Sequence, residues 1–382
     1  MILHVIENLR EAHGGPTFAA AGLAVHQAAM GASAAILCRE GPSTPELLQR
    51  LRQVPAGRSV EIMVVPRPSV AEFGSVMDRL RPEIVHVHGI WDASIRVAVR
   101  AARARRVPWV VTSHGMLHPD ALAKRQFLKW SYLRFASNVV RDARHIMVLN
   151  REEERYVTDR LRRPCSIVPA GVEISESPPS SDGSFRRSLP ALGSRPFVMF
   201  LGRIDRIKGI DRLIDAYALA HRDGFDMHLV VAGPEFGEGD FVRSRIRLMG
   251  LEDRVHLPGP LWGDRKLDAL AECAIYAHRP RYEGYGLAVV EAMAVGRPVV
   301  TTAACRLDAA REAGAIHVVV DDDRAFADAL LMLESDPQRA AELGSLAREW
   351  VLAHGSWPAI ERQVASVYRE VLCPGGDTPF VQ

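Results

Sequence analysis

The chain has 382 residues, 48% apolar and 25% charged, with a net charge of +2. That length leaves room for two domains with real cores, and the near-balanced charge argues against nucleic acid as a partner. Five scattered cysteines with no CxxC pair argue against a disulfide framework and a structural zinc site, and fit a reducing compartment. The start, MILHVIENLREAHGG, has no basic segment followed by a long apolar run, and no stretch approaches the roughly 20 apolar residues of a spanning helix. A cytoplasmic protein is expected.

In chain order, a first series of apolar runs reads ILHVI, AAILC, EIMVV, IVHVH, WVVTS, HIMVL and SIVPAG, with helical patterns at 17–30 and 96–106. Runs this apolar belong to strands covered on both faces, so a parallel α/β sheet is expected. Residues 174–194, rich in Ser, Pro and Gly and without period, read as a linker. A second series follows: FVMFLG, HLVVAG, RVHLPG, AIYAH, RPVVTT and AIHVVV, with helices at 209–222, 264–273, 286–295 and 324–334. The expected organisation is one domain over 1–173, another over 195–353, and a last helix opened by Ser356 and Pro358. Ligands of such sheets sit outside the carboxyl ends of the strands, which is where chemistry is expected.

Charge is uneven. Between Arg96 and Arg144 eleven basic residues face only Asp120 and Asp142. Within that span, ALAKRQFLKWSYLRFA interleaves Lys124, Arg125, Lys129 and Arg134 with Phe127, Leu128, Trp130, Tyr132 and Phe135. Two readings stay open: a core-facing stripe with solvated charges opposite, or an interfacial helix on an anionic membrane.

FVMFLGRIDRIKG sets Arg203 and Lys208 between a strand end and a helix N-terminus. Two cations beside free amides suit a diphosphate; salt bridges to Asp205 or Asp211 are the plainer alternative. Gly233 and Gly259 end the next two strands, where glycine lets a flat ligand approach the backbone, and main-chain groups around Leu257 suit a nucleobase edge. In RYEGYGLAVVEAMAVG, Glu283 precedes a helix opened by Gly284, Tyr285, Gly286 and Leu287, whose amides carry partial positive charge. Glu291 follows about 8 Å further along the axis. One acid is placed to read a sugar and the other the vicinal hydroxyls of a ribose, with a diphosphate between them. The alternative is an exposed carboxylate and a mid-helix salt bridge.

Together GRIDRIKG, VVAGP, HLPG and EGYGLAVVEAMAVGRPVV resemble the retaining glycosyltransferases of family GT4. That resemblance implies the GT-B fold, two Rossmann-like parallel-sheet domains facing across a cleft. HGGPTFAAAGLAVHQAAMG resembles the family's glycine loop, IVHVHGIW and TSHGML its acceptor-side strand ends, and the Trp357 helix, 357–373, the one that packs back on the first domain. By the same resemblance, Gly14 and Gly15 offer amides to the diphosphate and His114 contacts the transferred sugar. Arg203 and Lys208 neutralise the leaving diphosphate, Glu283 binds the sugar, and Glu291 binds the ribose. His86 and His88 divide between packing and the acceptor cleft. Ala170 stands where the family often has Asn. Arg279 and Arg281 make the loop more basic than usual, and either meet an acidic group of a substrate or are solvated.

The implied reaction is metal-independent, cofactor-free retaining transfer of a hexose from a GDP- or UDP-linked donor, as in mannosyltransferase-like enzymes. The implied acceptor is a glycan or polyprenyl-diphosphate-linked glycan of bacterial polysaccharide synthesis, reached at the inner face of the cell membrane. Asp321-Asp322-Asp323 offers a D-x-D metal motif, but its place before helix 324–334 reads better as an N-cap at Asp323. A hydride-transfer enzyme is set aside because ENLREAHGGP lacks the G-x-G-x-x-G turn. A sugar-nucleotide epimerase of GT-B build and an inactive sugar-nucleotide-binding protein remain as rivals.

Overall fold

The computed structural model describes residues 1–10, 14–43, 45–52, 59–123, 126–133, 138–175 and 182–373. The chain divides into two compact units, Met1–Gly171 together with the segment from Trp357 on, and Val172–Ser356. In the first unit β1 (Ile2–Asn8), β2 (Ala34–Glu40), β3 (Glu61–Val64), β4 (Ile84–His88), β5 (Trp109–Thr112), β6 (His145–Val148) and β7 (Cys165–Ile167) form one parallel sheet. Its order is β3-β2-β1-β4-β5-β6-β7. In the second, β8 (Phe197–Leu201), β9 (His228–Ala232), β10 (Val255–Gly259), β11 (Ile275–His278), β12 (Val299–Thr302) and β13 (His317–Val319) run in the order β10-β9-β8-β11-β12-β13, again parallel. Each order reverses once, between β1 and β4 and between β8 and β11. Those switch points are where doubly wound sheets hold ligands.

Alternation along β4 assigns its faces. Val85 and Val87 enter the core with Leu3, Val5, Val111 and the helix Ala93–Ala104. Ile84 faces the other way, with Val110, Met147 and Val168, against the helix Trp357–Leu372. That helix presents Trp357, Ile360, Val364 and Val367, an i, i+3, i+7, i+10 stripe of buried residues. The Trp357 ring has room because Gly22 and Gly171 flank it: a Cβ on either would lie 2.1 or 2.6 Å from the indole.

Part of the segment read as a linker is bound to the second unit. Ser184–Ser188 is helical, and its Phe185 and Arg186 amides donate to the Glu272 carboxylate at 3.0 and 2.9 Å. The acidic run after β13 differs from expectation by one residue. Asp322, not Asp323, caps the helix Asp323–Ser335, accepting from the Ala325 amide at 3.0 Å. The side chains of Asp321 and Asp323 are turned instead to Arg279.

Candidate active site

At the switch point of the second sheet, β8 leads through Gly202 and Arg203 into a single tight turn, Arg206–Lys208, capped by the Asp205 carboxylate at 2.9 Å from the Ile207 amide. Gly209 then adopts φ 65° and opens the helix Ile210–Arg222. A Cβ there would lie 2.1 Å from the Arg279 carbonyl, so only glycine lets this turn close on the loop after β11. The Arg281 amide donates to the Ile207 carbonyl at 2.9 Å and joins the two loops. Gly286, at φ 64°, opens the helix Leu287–Ala294.

This closure brings Lys208 onto Glu283 as a hydrogen-bonded ion pair, with both side chains largely buried. His278 Nε2 lies 3.1 Å from the same carboxylate oxygen. Burial pushes the Glu283 carboxyl up, but the Lys208 charge and the His278 N–H more than offset it, holding it well below the usual carboxylate range. Burial lowers His278, so its ring is the neutral donor. In the same region the Tyr285 hydroxyl, His278 Nδ1 and Thr302 Oγ1 are buried with no hydrogen-bond partner among the described residues. Buried polar groups normally find partners, so each of these three atoms keeps an unused hydrogen-bonding capacity. Glu291 sits on the helix that follows, with its carboxylate 2.8 Å from Lys266 Nζ. Arg203 lies 3.2 Å from Asp205 and over the Phe236 ring, with two-fifths of its side chain exposed.

The strand-end glycines serve different ends. At Gly233 the fold itself demands glycine, since a Cβ would lie 1.8 Å from the Gly202 carbonyl. Gly259 has open space. The register shifts between His256 and Gly259, so Leu257 lies in an irregularity of the edge strand β10. Arg279 and Arg281 are neither solvated nor free for a substrate acid. Arg279 is buried and bound to Asp321, Asp323 and the Arg212 carbonyl, and Arg281 forks onto Asp211 at 2.5 and 2.7 Å. Asp321 also takes Arg212 at 2.6 Å. The outer carboxylates of the D-x-D run are therefore engaged by arginine.

In the first unit the chain leaves β5 through Ser113 into His114 at φ 50° and Gly115 at φ 79°. A left-handed non-glycine residue costs about 1 kcal/mol or more and persists only where neighbours enforce it. Buried Glu153 does so, accepting from the Leu117 amide at 2.9 Å and the Leu149 amide at 3.0 Å. Its sequence signal, Asn150-x-x-Glu153, reads as a capping box. Asn150 does cap the helix Arg151–Arg155, but Glu153 reaches to the neighbouring loops. His114 shares a cavity of about 20 Å3, room for one water, with His86, His88, Thr112 and Trp357. Gly14, at φ 75°, and Gly15 begin the helix Gly15–Ala29; a Cβ on either would meet nothing within 4 Å, so their backbone is open.

Burial drives the His4 and His114 rings down to about 4, and His86 and His88 well below their ordinary value. Below about pH 6.5 the unfolded chain takes up these protons and the folded chain does not. Stability is therefore complete above that value and is lost as pH falls toward 4, at roughly 1.4 kcal/mol per pH unit for each group out of step. Denaturant unfolding of the first unit is expected to shift to lower midpoints between pH 7 and 5, above the window in which Glu283 contributes. An unchanged midpoint would contradict the neutral cluster.

Residues 182–350 match the family described as glycosyl transferases group 1, and residues 14–171 match the glycosyl transferase 4-like domain. The chain belongs to the group 1 glycosyltransferases. This glycosyltransferase is 29% identical over 356 residues to D-inositol 3-phosphate glycosyltransferase 1 of Catenulispora acidiphila, with 86% of this chain and 82% of the relative covered. It is 28% identical over 313 residues to alpha-D-kanosaminyltransferase of Streptomyces kanamyceticus, covering 77% and 79%. Its fold matches Anabaena HepE, crystallised with UDP and glucose, at a TM-score of 0.78 and 19% identity over 97% and 99% of the two chains. It also matches WaaG, a glycosyltransferase involved in lipopolysaccharide biosynthesis, at 0.70 and 16% over 98% and 100%. The glycosyltransferase has the GT-B fold, with two parallel-sheet α/β domains.

Proposed function

We propose that this glycosyltransferase moves a hexose, with retention, from a nucleoside-diphosphate sugar to a glycan or lipid-linked glycan. The observation that carries the reading is the Lys208–Glu283 pair at the switch point of the second sheet, beside the Leu287 helix start. Lys208 and Arg203 stabilise charge growing on the diphosphate, and Glu283, kept ionised, accepts from sugar hydroxyls. Glu291 binds the ribose hydroxyls, Gly233 and Leu257 border the base, and the amides of Gly284, Tyr285, Gly286 and Leu287 face the sugar. In the first unit Gly14 and Gly15 serve the diphosphate and His114 the transferred sugar. The bond from the anomeric carbon to the diphosphate breaks with its electron pair on the leaving oxygen. The acceptor hydroxyl forms the new bond on the same face and gives its proton to the diphosphate. The protein's part is orientation and electrostatics.

UDP in HepE agrees with a nucleotide-sugar donor. A small polyol phosphate is the second acceptor reading, favoured by the relative named for D-inositol 3-phosphate. The test is a panel of UDP- and GDP-hexoses, following nucleoside diphosphate release and the anomeric configuration of the product by NMR. A product of inverted configuration contradicts retention. An epimerised sugar supports the epimerase, and no turnover with any donor supports an inactive binder.

Metal independence is proposed on the arginine pairing of Asp321 and Asp323. Turnover is expected to survive EDTA. Loss on chelation and rescue by manganese or magnesium would restore the D-x-D reading.

Membrane contact is proposed on the apolar surface of the helix Gln126–Ser131, where Phe127, Leu128 and Trp130 are 76, 66 and 51% exposed. Lys124, Arg125, Arg134 and Phe135 lie outside the described residues. Lys129 donates to the Ala121 carbonyl at 2.6 Å, and Arg103, Arg105 and Arg141 pair with Asp142, Asp78 and Asp142. Among the described residues no helix is long and apolar enough to cross a membrane, so attachment would be peripheral, at the inner face of the cell membrane. Co-sedimentation with anionic vesicles is expected, weakening with salt and on Ser substitution of Phe127, Leu128 and Trp130. Equal partitioning onto neutral and anionic vesicles, or none onto either, would favour a soluble acceptor.

A further inference from the structure

We propose that Gln27 fixes the ring tautomer of His114 through a relay of two buried imidazoles, His4 and His88, and leaves His114 Nδ1 a bare acceptor. The inference rests on the reading that His114 meets the transferred sugar.

Strand register assembles the relay. On β1 and β4, His4 pairs with His86 and Ile6 with His88, so period-two alternation puts His4, His86 and His88 on one face of the sheet. On β5, Thr112 is paired with His88, and the chain then turns to His114. Helix Gly15–Ala29 covers this face with Gln27, and helix Trp357–Leu372 covers it with Tyr368. Gln27, His4, His86 and His88 are all buried.

The bonds run in sequence. Gln27 Oε1 lies 2.8 Å from His4 Nε2, His4 Nδ1 lies 3.0 Å from His88 Nε2, and His88 Nδ1 lies 3.1 Å from His114 Nε2. An amide carbonyl only accepts, so His4 carries its proton on Nε2. Burial keeps that ring neutral, so Nδ1 is bare and accepts from His88 Nε2–H. The same step repeats at His88 and places the His114 proton on Nε2. Its Nδ1 is left to accept, which suits a sugar hydroxyl and repels an anionic group.

Tyr368 sets the direction of the chain. Gln27 Nε2 is 3.4 Å from the Tyr368 hydroxyl, long for the 2.7–2.8 Å an O–H donor prefers and more tolerable for an amide N–H. The tyrosine proton then goes to His86 Nδ1 at 2.6 Å, and His86 Nε2–H donates to Thr112 Oγ1 at 2.7 Å. The nitrogens of His4, His86 and His88 approach within 4.8 Å of one another, as a cation site would require. All six are already engaged in these bonds, which a cation would have to break.

The test reads ring nitrogens in protein labelled with 15N-histidine, at pH 7. In the native chain His4, His88 and His114 are expected as neutral Nε2–H tautomers. In Gln27→Leu the His114 signature should move toward a mixture of tautomers and kcat should fall about tenfold, the order of one hydrogen bond, with KM unchanged. Gln27→Glu, which keeps an accepting oxygen, should restore both. Should Gln27→Leu not fold, His4→Phe breaks the relay at its next link with the same expected signature. A native His114 protonated on Nδ1, or a signature unmoved in Gln27→Leu or His4→Phe, overturns the proposal. Full turnover in His114→Ala would instead remove the sugar contact, and the nitrogen signature would still decide the relay.

Discussion

Glu283→Gln and Lys208→Ala are each expected to lower transfer by about 10²–10³-fold, the usual loss when one charge-stabilising group is removed. The two variants should differ in stability. Gln at 283 keeps the shape of the loop and leaves Lys208 beside a neutral amide, with about one-sixth of its side chain exposed. Ala at 208 leaves a buried carboxylate with no cation against it, held by the neutral His278 ring and the Gly284 amide, the costlier way to break such a pair. Lys208→Ala should therefore also show a lower unfolding midpoint, and its Glu283 should titrate higher. The double variant should lose less than the product of the two single losses, since the two groups form one ion pair and each single change already breaks it. Glu291→Ala should leave kcat near native and raise the donor KM, because the ribose lies away from the bond being broken. Near-normal turnover in either charge variant would remove the site.

Trp357→Ala is expected to destabilise the first unit by about 3–5 kcal/mol, the cost of emptying a buried aromatic site. The indole fills space kept open by Gly22 and Gly171 and stacks on His26 at 5.1 Å between ring centres. With two glycines around it, little side chain is available to collapse into the hole. Trp357 also borders the small cavity beside His114, so turnover should fall too. Denaturant unfolding with an unchanged slope and a lower midpoint is the expected signature. A change under 1 kcal/mol would mean the last helix is not integral to that unit.

Much of the fold was legible because strands buried on both faces read as continuous apolar runs, and β1, β4, β8 and β11 fall where those runs stand. The charged candidates were legible because Lys208 and Glu283 each follow a strand end. Their pairing was not, since 75 positions separate them. Arg279 and Arg281 were misread for the same reason: their acids, Asp321, Asp323 and Asp211, are brought in only by the fold. The helix cap at Asp322 was missed by one residue because three consecutive aspartates offer the same local signal. Glu153 was hidden behind a local motif that it also satisfies in spacing. His4 carried no signal as a lone histidine in an apolar run, until register set it opposite His86.

Calorimetric titration of UDP and of GDP into the native chain and into Lys208→Ala decides whether the Lys208–Glu283 site holds a nucleoside diphosphate. Saturable one-to-one binding of at least one nucleotide to the native chain is expected, weakened tenfold or more in the variant. Binding of neither nucleotide, or equal affinity in native and Lys208→Ala proteins, would contradict it.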